Sequence, residues 1–142
     1  MNNELKISPE LWQAYEETDF IVFSDPQFTL RIGKFSEPLE QLLRSKRRTT
    51  AAFLTAFNPY SQPLTKEENT AKQDQLIKDV ELRGLHFLLG IGQHPSQQWE
   101  GEPSLLILGI GLEAAKNLGN KYEQNAFVWA DSTCKPRLLT PR

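Results

Sequence analysis

Short apolar runs, separated by turn residues, recur along the chain and predict β-strands. The run at 51–57 (AAFLTAF) is apolar at nearly every position, which is typical of a central strand buried on both faces. The run at 28–32 follows the turn residues Asp25-Pro26 and is expected to pair with 20–24 as a hairpin. The predicted strands are 20–24, 28–32, 51–57, 86–92, 104–110 and 125–130, with a short edge strand possible at 137–140.

Four segments between these runs carry helix signals. Ser8 and Ser36 each stand just before a proline-containing first turn, and Thr65 with Glu68 matches a capping box. A last helix is expected from Leu112 to Leu118, with Gly119 as its stop. Strands therefore arrive both in hairpins and through helical crossovers. This order predicts an α+β (mixed α/β) fold with a single mixed sheet of about six strands and helices packed on its faces.

Composition narrows the class of protein. At 142 residues the chain suits a single globular domain spanning 1–142, and 39% hydrophobic with 24% charged residues indicates a folded protein rather than a disordered one. The net charge of −2 disfavours a nucleic-acid partner, because nucleic-acid binding requires a positive surface.

The chain shows no sign of a membrane segment, a disulfide or a metal site. Cys134 is the only cysteine, and the two histidines, His86 and His94, are not spaced as metal ligands. The first twelve residues lack a signal-peptide pattern, and no apolar run approaches the ~20 residues of a membrane span. We expect a cytoplasmic protein without membrane association, cofactor or metal.

The stretch TAAFLTAFNPYS (50–61) offers the first candidate site. Asn58-Pro59 ordinarily marks the end of a strand, and the proline biases Asn58 towards extended backbone. Alternatively, Thr55 and Asn58 present polar groups to a ligand at the strand end, where clefts form in helix-covered sheets.

A second candidate lies at 90–104. Gly90 and Gly92 could let a ligand approach the backbone, although the dinucleotide fingerprint is missing. Glu102 and Ser104 are two residues apart and so face the same side of a strand. Glu102 is either an ordinary loop carboxylate or a ligand anchor or general base beside Ser104, and His94 is a further acid–base candidate.

Other polar stretches are weaker candidates. Gln124 and Asn125 stand at the start of the sixth strand, where neutral amides can bind polar molecules or satisfy loop backbone. The basic run RSKRR (44–48) is typical of a helix C-terminus and, in the alternative, contacts an acidic partner or a nucleic acid. The segment 109–119 has a glycine before a helix but lacks the lysine and hydroxyl of a phosphate-binding loop.

Several of these stretches together resemble an uncharacterised bacterial family, domain of unknown function 3293. The resemblance covers roughly 49–130 and is carried by Thr55-Ala56-Phe57-Asn58-Pro59, Glu68-Asn69, Trp99 with Glu102-Pro103-Ser104, and Tyr122-Glu123-Gln124-Asn125-Ala126-Phe127. It implies no activity, but it implies that the polar residues of these stretches belong to one pattern.

Three hypotheses follow. The first is a domain that binds a small polar metabolite or nucleotide-like molecule at the ends of strands three, five and six, through Thr55, Asn58, Asn69, Glu102, Ser104 and Gln124. The second is an enzyme with Glu102 as general base, assisted by Ser104 or His94. The third is a protein-interaction module that uses Trp12, Trp99 or RSKRR.

Overall fold

In the computed structural model of the chain, which describes residues 7–142, every predicted strand forms and joins one sheet. The sheet has seven strands rather than about six, because the short run near the C-terminus also pairs. The strands are β1 (Asp19–Val22), β2 (Phe28–Leu30), β3 (Ala51–Leu54), β4 (His86–Gln93), β5 (Glu102–Leu108), β6 (Phe127–Ala130) and β7 (Arg137–Leu139). Their order is β2-β1-β4-β5-β3-β6-β7, with β3 between β5 and β6 as its apolar sequence predicts.

Helices begin where the caps predict. They are α1 (Pro9–Glu17), α2 (Glu37–Lys46), α3 (Lys66–Leu82) and α4 (Leu112–Lys121), with a 3-10 turn at Pro59–Ser61. The Ser8 and Ser36 hydroxyls accept backbone N–H groups at 3.1 and 3.2 Å, and the capping box of Thr65 and Glu68 forms. The expected stop at Gly119 is wrong: α4 continues to Lys121, and a Cβ at this glycine would lie 3.0 Å from Pro141. Gly119 therefore permits close packing inside the helix.

The α+β class is confirmed, but every strand pairing is antiparallel, so the sheet is not mixed. The crossovers through α3 and α4 do connect strands that run in the same direction. Those strands are not neighbours, because β5 lies between β3 and β4, and β3 lies between β5 and β6. Each intervening strand pairs antiparallel with both of its neighbours.

The sheet has a hydrophobic core on each face. On the first face, α1 and α2 cover a core that includes Phe20, Phe53 and Val128. On the second face, α3 and α4 pack their buried residues Leu76, Val80, Ala115 and Leu118 against the sheet. The helix α1 differs from the others in having no fully buried residue, although Trp12 and Tyr15 pack against the first core.

None of the helices between residues 7 and 142 combines the length and the apolar character needed to cross a bilayer. Residues 1–6, on which the expected lack of a signal peptide partly depends, lie outside the described residues.

Candidate functional site

A cavity of about 680 Å³ lies between α1 and the first face of the sheet. Its aromatic floor includes Phe20 and Phe53, which stack edge to face with ring centroids 5.3 Å apart. Ala14 and Tyr15 of α1 form the opposite wall. The cavity sits at the end of the sheet where β3 ends and β5 begins, which is the edge that the sequence predicts for a ligand.

Five of the six residues expected to contact a ligand line this cavity: Thr55, Asn58, Glu102, Ser104 and Gln124. Glu102 and Ser104 share it, as their two-residue spacing on β5 predicts. The sixth, Asn69, is buried on α3 and does not line the cavity, but it contacts Asn58. The strand ends thus bring together polar residues that are far apart in sequence.

Asn58 is the centre of the polar network. Its backbone is left-handed (φ 48°, ψ 66°) and not extended as the following proline suggested, because asparagine tolerates this region better than most residues. Its Oδ1 accepts hydrogen bonds from the Leu64 backbone at 3.1 Å and from Asn69 Nδ2 at 2.8 Å. Its Nδ2 donates to Glu102 Oε2 at 2.8 Å. The second N–H of the Asn58 amide has no acceptor among the described residues.

The helix α3 supports this strand end from the second face. Asn69 Oδ1 accepts the Asn58 backbone N–H at 2.8 Å, and Gln73 Oε1 accepts the Ala56 backbone N–H at 2.9 Å. These two amides replace the ladder bonds that β3 loses after Leu54. Gln73 was not among the predicted residues. A signal was present, since Asn69 and Gln73 are four residues apart on the same helix face as the buried Leu76.

The loop between α4 and β6 stabilises the segment after β3 from the other side. Gln124 Nε2 donates to the carbonyls of Phe57 and Tyr122 at 3.0 and 3.1 Å. Asn125 Nδ2 donates to Ser61 Oγ at 2.8 Å. Non-glycine residues with positive φ at 58, 60, 61 and 123 concentrate in these two loops, so the hydrogen bonds hold backbone in costly conformations. These two loops form the rim of the cavity, and their hydrogen bonds fix the rim in position.

Glu102 places a half-buried carboxylate in the cavity. Burial raises the pKa of its carboxyl, and the hydrogen bond from Asn58 partly opposes that rise. Oε1 accepts no hydrogen bond from any described residue, yet no buried side-chain nitrogen or oxygen in the described part of the chain lacks a partner. Oε1 therefore faces accessible space. Within residues 7–142, no group of three or more His, Cys, Asp or Glu side chains is placed to hold a metal.

Tyr15 of α1 faces Glu102, and the sequence did not predict its place here. Burial raises the pKa of the Tyr15 hydroxyl, the negative charge of Glu102 adds to the rise, and an interaction with Ser61 opposes it. The apolar residues Leu11, Trp12 and Tyr15 are typical of a helix with one buried side, but the sequence does not show which part of the sheet that side covers.

The candidate catalytic partners of Glu102 do not contact its carboxylate. Ser104 Oγ donates to the backbone carbonyl of Glu102 at 2.9 Å. The His94 ring contacts Ser96 Oγ at 2.7 Å and Glu17 Oε1 at 3.0 Å, and it meets Trp99 edge to face with centroids 4.7 Å apart. His94 thus links α1 to the β4–β5 loop at the cavity mouth.

The two glycines of β4 have different surroundings. A Cβ at Gly90 would clash with the backbone carbonyl of Ile21 in β1 and would lie 2.9 Å from the Phe53 ring. This glycine therefore makes room for the neighbouring strand and for the cavity floor rather than for a ligand. Gly92 lines the cavity.

The tryptophans and the basic run considered for a protein partner differ in exposure and location. Trp99 is 53% exposed and borders the cavity, Trp12 is half-buried, and Trp129 is buried with its Nε1 donating to the Ile110 carbonyl at 3.0 Å. The run RSKRR covers the last turn of α2 and its left-handed cap at Arg47, where cations favour the helix C-terminus. Cys134 is buried, and burial raises the pKa of its thiol.

These features lie in a chain of a known family. The family model described as protein of unknown function (DUF3293) matches residues 54–127, just over half of the chain. The chain belongs to this family, as the resemblance in its sequence indicated. Neither the curated proteins nor the solved structures contain a match. The matched segment includes all six predicted ligand residues and excludes α1, so one wall of the cavity lies outside it.

Proposed function

We propose that this protein binds a small molecule in the cavity between α1 and the first face of the sheet. One observation carries the proposal: polar side chains from the segment after β3, from β5 and from the loop before β6 meet in a cavity of about 680 Å³ with an aromatic floor. A concave, mostly apolar site with a few convergent polar groups is the usual form of a small-molecule site. The volume suits a metabolite-sized ligand.

The rim supports binding because it is fixed before a ligand arrives. Asn58, Asn69 and Gln124 use most of their hydrogen-bonding groups to hold backbone and Glu102. Preorganised groups lose little conformational freedom on binding, so more of the interaction energy appears as affinity. In this proposal Glu102 makes the main polar contact, and Asn58 positions it.

A thermal-shift screen of metabolites against three proteins tests the proposal: the wild type, Ala14→Phe, which fills the cavity from α1, and Ala71→Phe on the exposed surface of α3. At a ligand concentration of one hundred times Kd, the wild type should gain about 2.7 kcal/mol of stability. The gain should persist in Ala71→Phe and disappear in Ala14→Phe. Ligands that stabilise all three proteins equally would bind elsewhere and refute the assignment of the cavity.

A second candidate function is favoured by the surroundings of Glu102. A carboxyl with a raised pKa and a free oxygen in a cavity meets the requirements of a general base or acid. Because Ser104 and His94 hydrogen-bond elsewhere, Glu102 would act directly on the bound molecule. Once a ligand is known, its turnover should fall by at least about a hundredfold in Glu102→Gln if this carboxyl transfers a proton. Unchanged turnover would leave binding without a catalytic role for Glu102.

A further inference from the structure

The two buried polar side chains of the cavity, Gln124 and Ser104, leave acceptor oxygens free. Both N–H groups of the Gln124 amide are used by the carbonyls of Phe57 and Tyr122. Because both partners are carbonyls, the orientation of this amide is settled, and its free atom is the oxygen. Gln124 is buried, yet its Oε1 has no donor among the described residues and is not a buried unpaired atom, so it faces accessible space.

Neighbouring side chains follow the same pattern. The hydroxyl of Ser104 donates a hydrogen bond to the Glu102 carbonyl at 2.9 Å, and the hydroxyl of Thr55 donates to the Pro103 carbonyl at 2.7 Å. Ser104 therefore presents lone pairs to the cavity, beside the free Oε1 of Glu102. Among Asn58, Glu102, Ser104 and Gln124, these free oxygens outnumber the one free N–H, which belongs to the Asn58 amide.

The charged side chains of the cavity also favour a donor or a cation over an anion. Its carboxylates are Glu10, Glu100 and Glu102, and no lysine or arginine from the described part of the chain lines it. The His94 ring, which also lines the cavity, hydrogen-bonds Glu17. A phosphate or carboxylate ligand would meet negative charge without a counter-ion, at a large cost in free energy.

The aromatic walls suit a positive charge. Tyr15 and Trp99 line the cavity with Phe20 and Phe53. The faces of such rings attract cations, and their area also binds apolar groups. An acceptor-rich, anionic and aromatic cavity is complementary to a donor that carries a positive charge on an apolar body.

We propose that the ligand is a small organic cation, an amine or amidine on an apolar or aromatic body, whose N–H groups bind the free oxygens of Glu102 and Gln124. This inference rests on the proposed binding function and narrows it, since it disfavours phosphorylated nucleotides and retains cationic or donor-rich heterocycles. Glu102 supplies the charge, the rings hold the body, and Asn58 fixes the carboxylate.

Three probes with the same ring test the inference: benzamidine, benzamide and benzoate, titrated by calorimetry or ligand-observed NMR. The wild type should bind benzamidine about tenfold more tightly than benzamide, because a hydrogen bond to a charged group is stronger than one between neutral groups. Benzoate should bind most weakly. In Glu102→Gln the preference for benzamidine should nearly vanish, whereas Glu81→Gln, an exposed control on α3, should keep it.

The outcomes separate the two proposals. Tighter binding of benzamide or benzoate, blocked by Ala14→Phe, would overturn the cation inference and leave the binding cavity in place. A benzamidine preference unchanged in folded Glu102→Gln would remove Glu102 from the site. Failure of all three probes to bind in the millimolar range, together with no hit in the metabolite screen, would overturn both proposals. The comparison of probes on the wild type holds even if Glu102→Gln does not fold.

Discussion

Asn58→Ala should be among the most destabilising substitutions of a partly exposed residue in this protein. The change removes three side-chain hydrogen bonds, to Glu102, Asn69 and the Leu64 backbone. The bond to the carboxylate contributes about 1.5–3 kcal/mol and each neutral bond about 1 kcal/mol. The left-handed backbone at this position costs alanine about 1 kcal/mol of folding free energy. We expect a loss of about 4–6 kcal/mol, a large fraction of the ~5–15 kcal/mol of a typical domain.

Urea unfolding followed by tryptophan fluorescence measures this loss. With a slope of about 2 kcal/mol per molar urea, the midpoint should fall by about 2 M or more. Asn58→Gly is the matched variant, because glycine adopts the left-handed backbone freely but makes none of the bonds. It should recover about 1 kcal/mol relative to alanine.

The acid dependence of Asn58→Ala provides an independent check. The bond from Asn58 lowers the pKa of Glu102, so its contribution requires an ionised carboxylate. Because burial places the folded-state pKa of Glu102 above the ordinary 4.5, that contribution is complete above the folded-state pKa and is lost as the pH falls through it. The destabilisation should therefore shrink in acid. A loss below about 1 kcal/mol at neutral pH, or one independent of pH, would refute the network around Asn58.

Three further substitutions have defined outcomes. Glu102→Gln should stabilise the ligand-free protein at neutral pH, because it removes a partly buried charge. The gain should be about 1.4 kcal/mol for each unit by which burial raises the pKa of Glu102, and it should vanish below the ordinary pKa of 4.5. A variant less stable than the wild type at every pH would contradict this. Gly90→Ala should cost about 1–3 kcal/mol in thermal unfolding, because its Cβ would clash with the Ile21 backbone carbonyl and lie 2.9 Å from an aromatic ring. Gly92→Ala, with no contact nearer than 3.8 Å, should cost much less. Equal losses in the two variants would count against tight packing around Gly90. Tyr122→Phe should lose about 1.5–3 kcal/mol in urea unfolding, since its hydroxyl donates to the Asp79 carboxylate at 2.8 Å. An unchanged midpoint would show that this bond contributes nothing.

Local signals were the most predictable part of the fold. Ser8, Ser36 and the Thr65–Glu68 box mark real helix starts, because capping depends on neighbouring residues alone. Gly119 misled for the opposite reason: its role comes from Pro141, which the chain brings back from far away in sequence. The antiparallel sheet was also out of reach, since helical crossovers do not reveal which strand will occupy the gap between the strands they connect.

The candidate site was likewise predictable only where local sequence determines it. Glu102 and Ser104 could be assigned to one strand face from their spacing, and strand ends indicated where Thr55 and Asn58 would meet them. Tyr15 could not be placed, because an amphipathic pattern states which side of a helix is buried and not what it covers. The left-handed backbone at Asn58 was equally hidden, since it depends on partners supplied by Asn69 and Glu102.

The cavity floor belongs to the hydrophobic core of the first face, and this has a consequence for how the protein would respond to a molecule bound there. Phe20 and Phe53 hold the sheet together and at the same time form the surface that a bound molecule would cover. Above them, α1 contributes no fully buried residue. An occupant would therefore act as interior packing for α1, and detachment of this helix would be the first local opening to slow when the cavity fills. Hydrogen exchange or protease cleavage within Pro9–Glu17 would then report occupancy directly, ahead of any change in the global unfolding of the sheet.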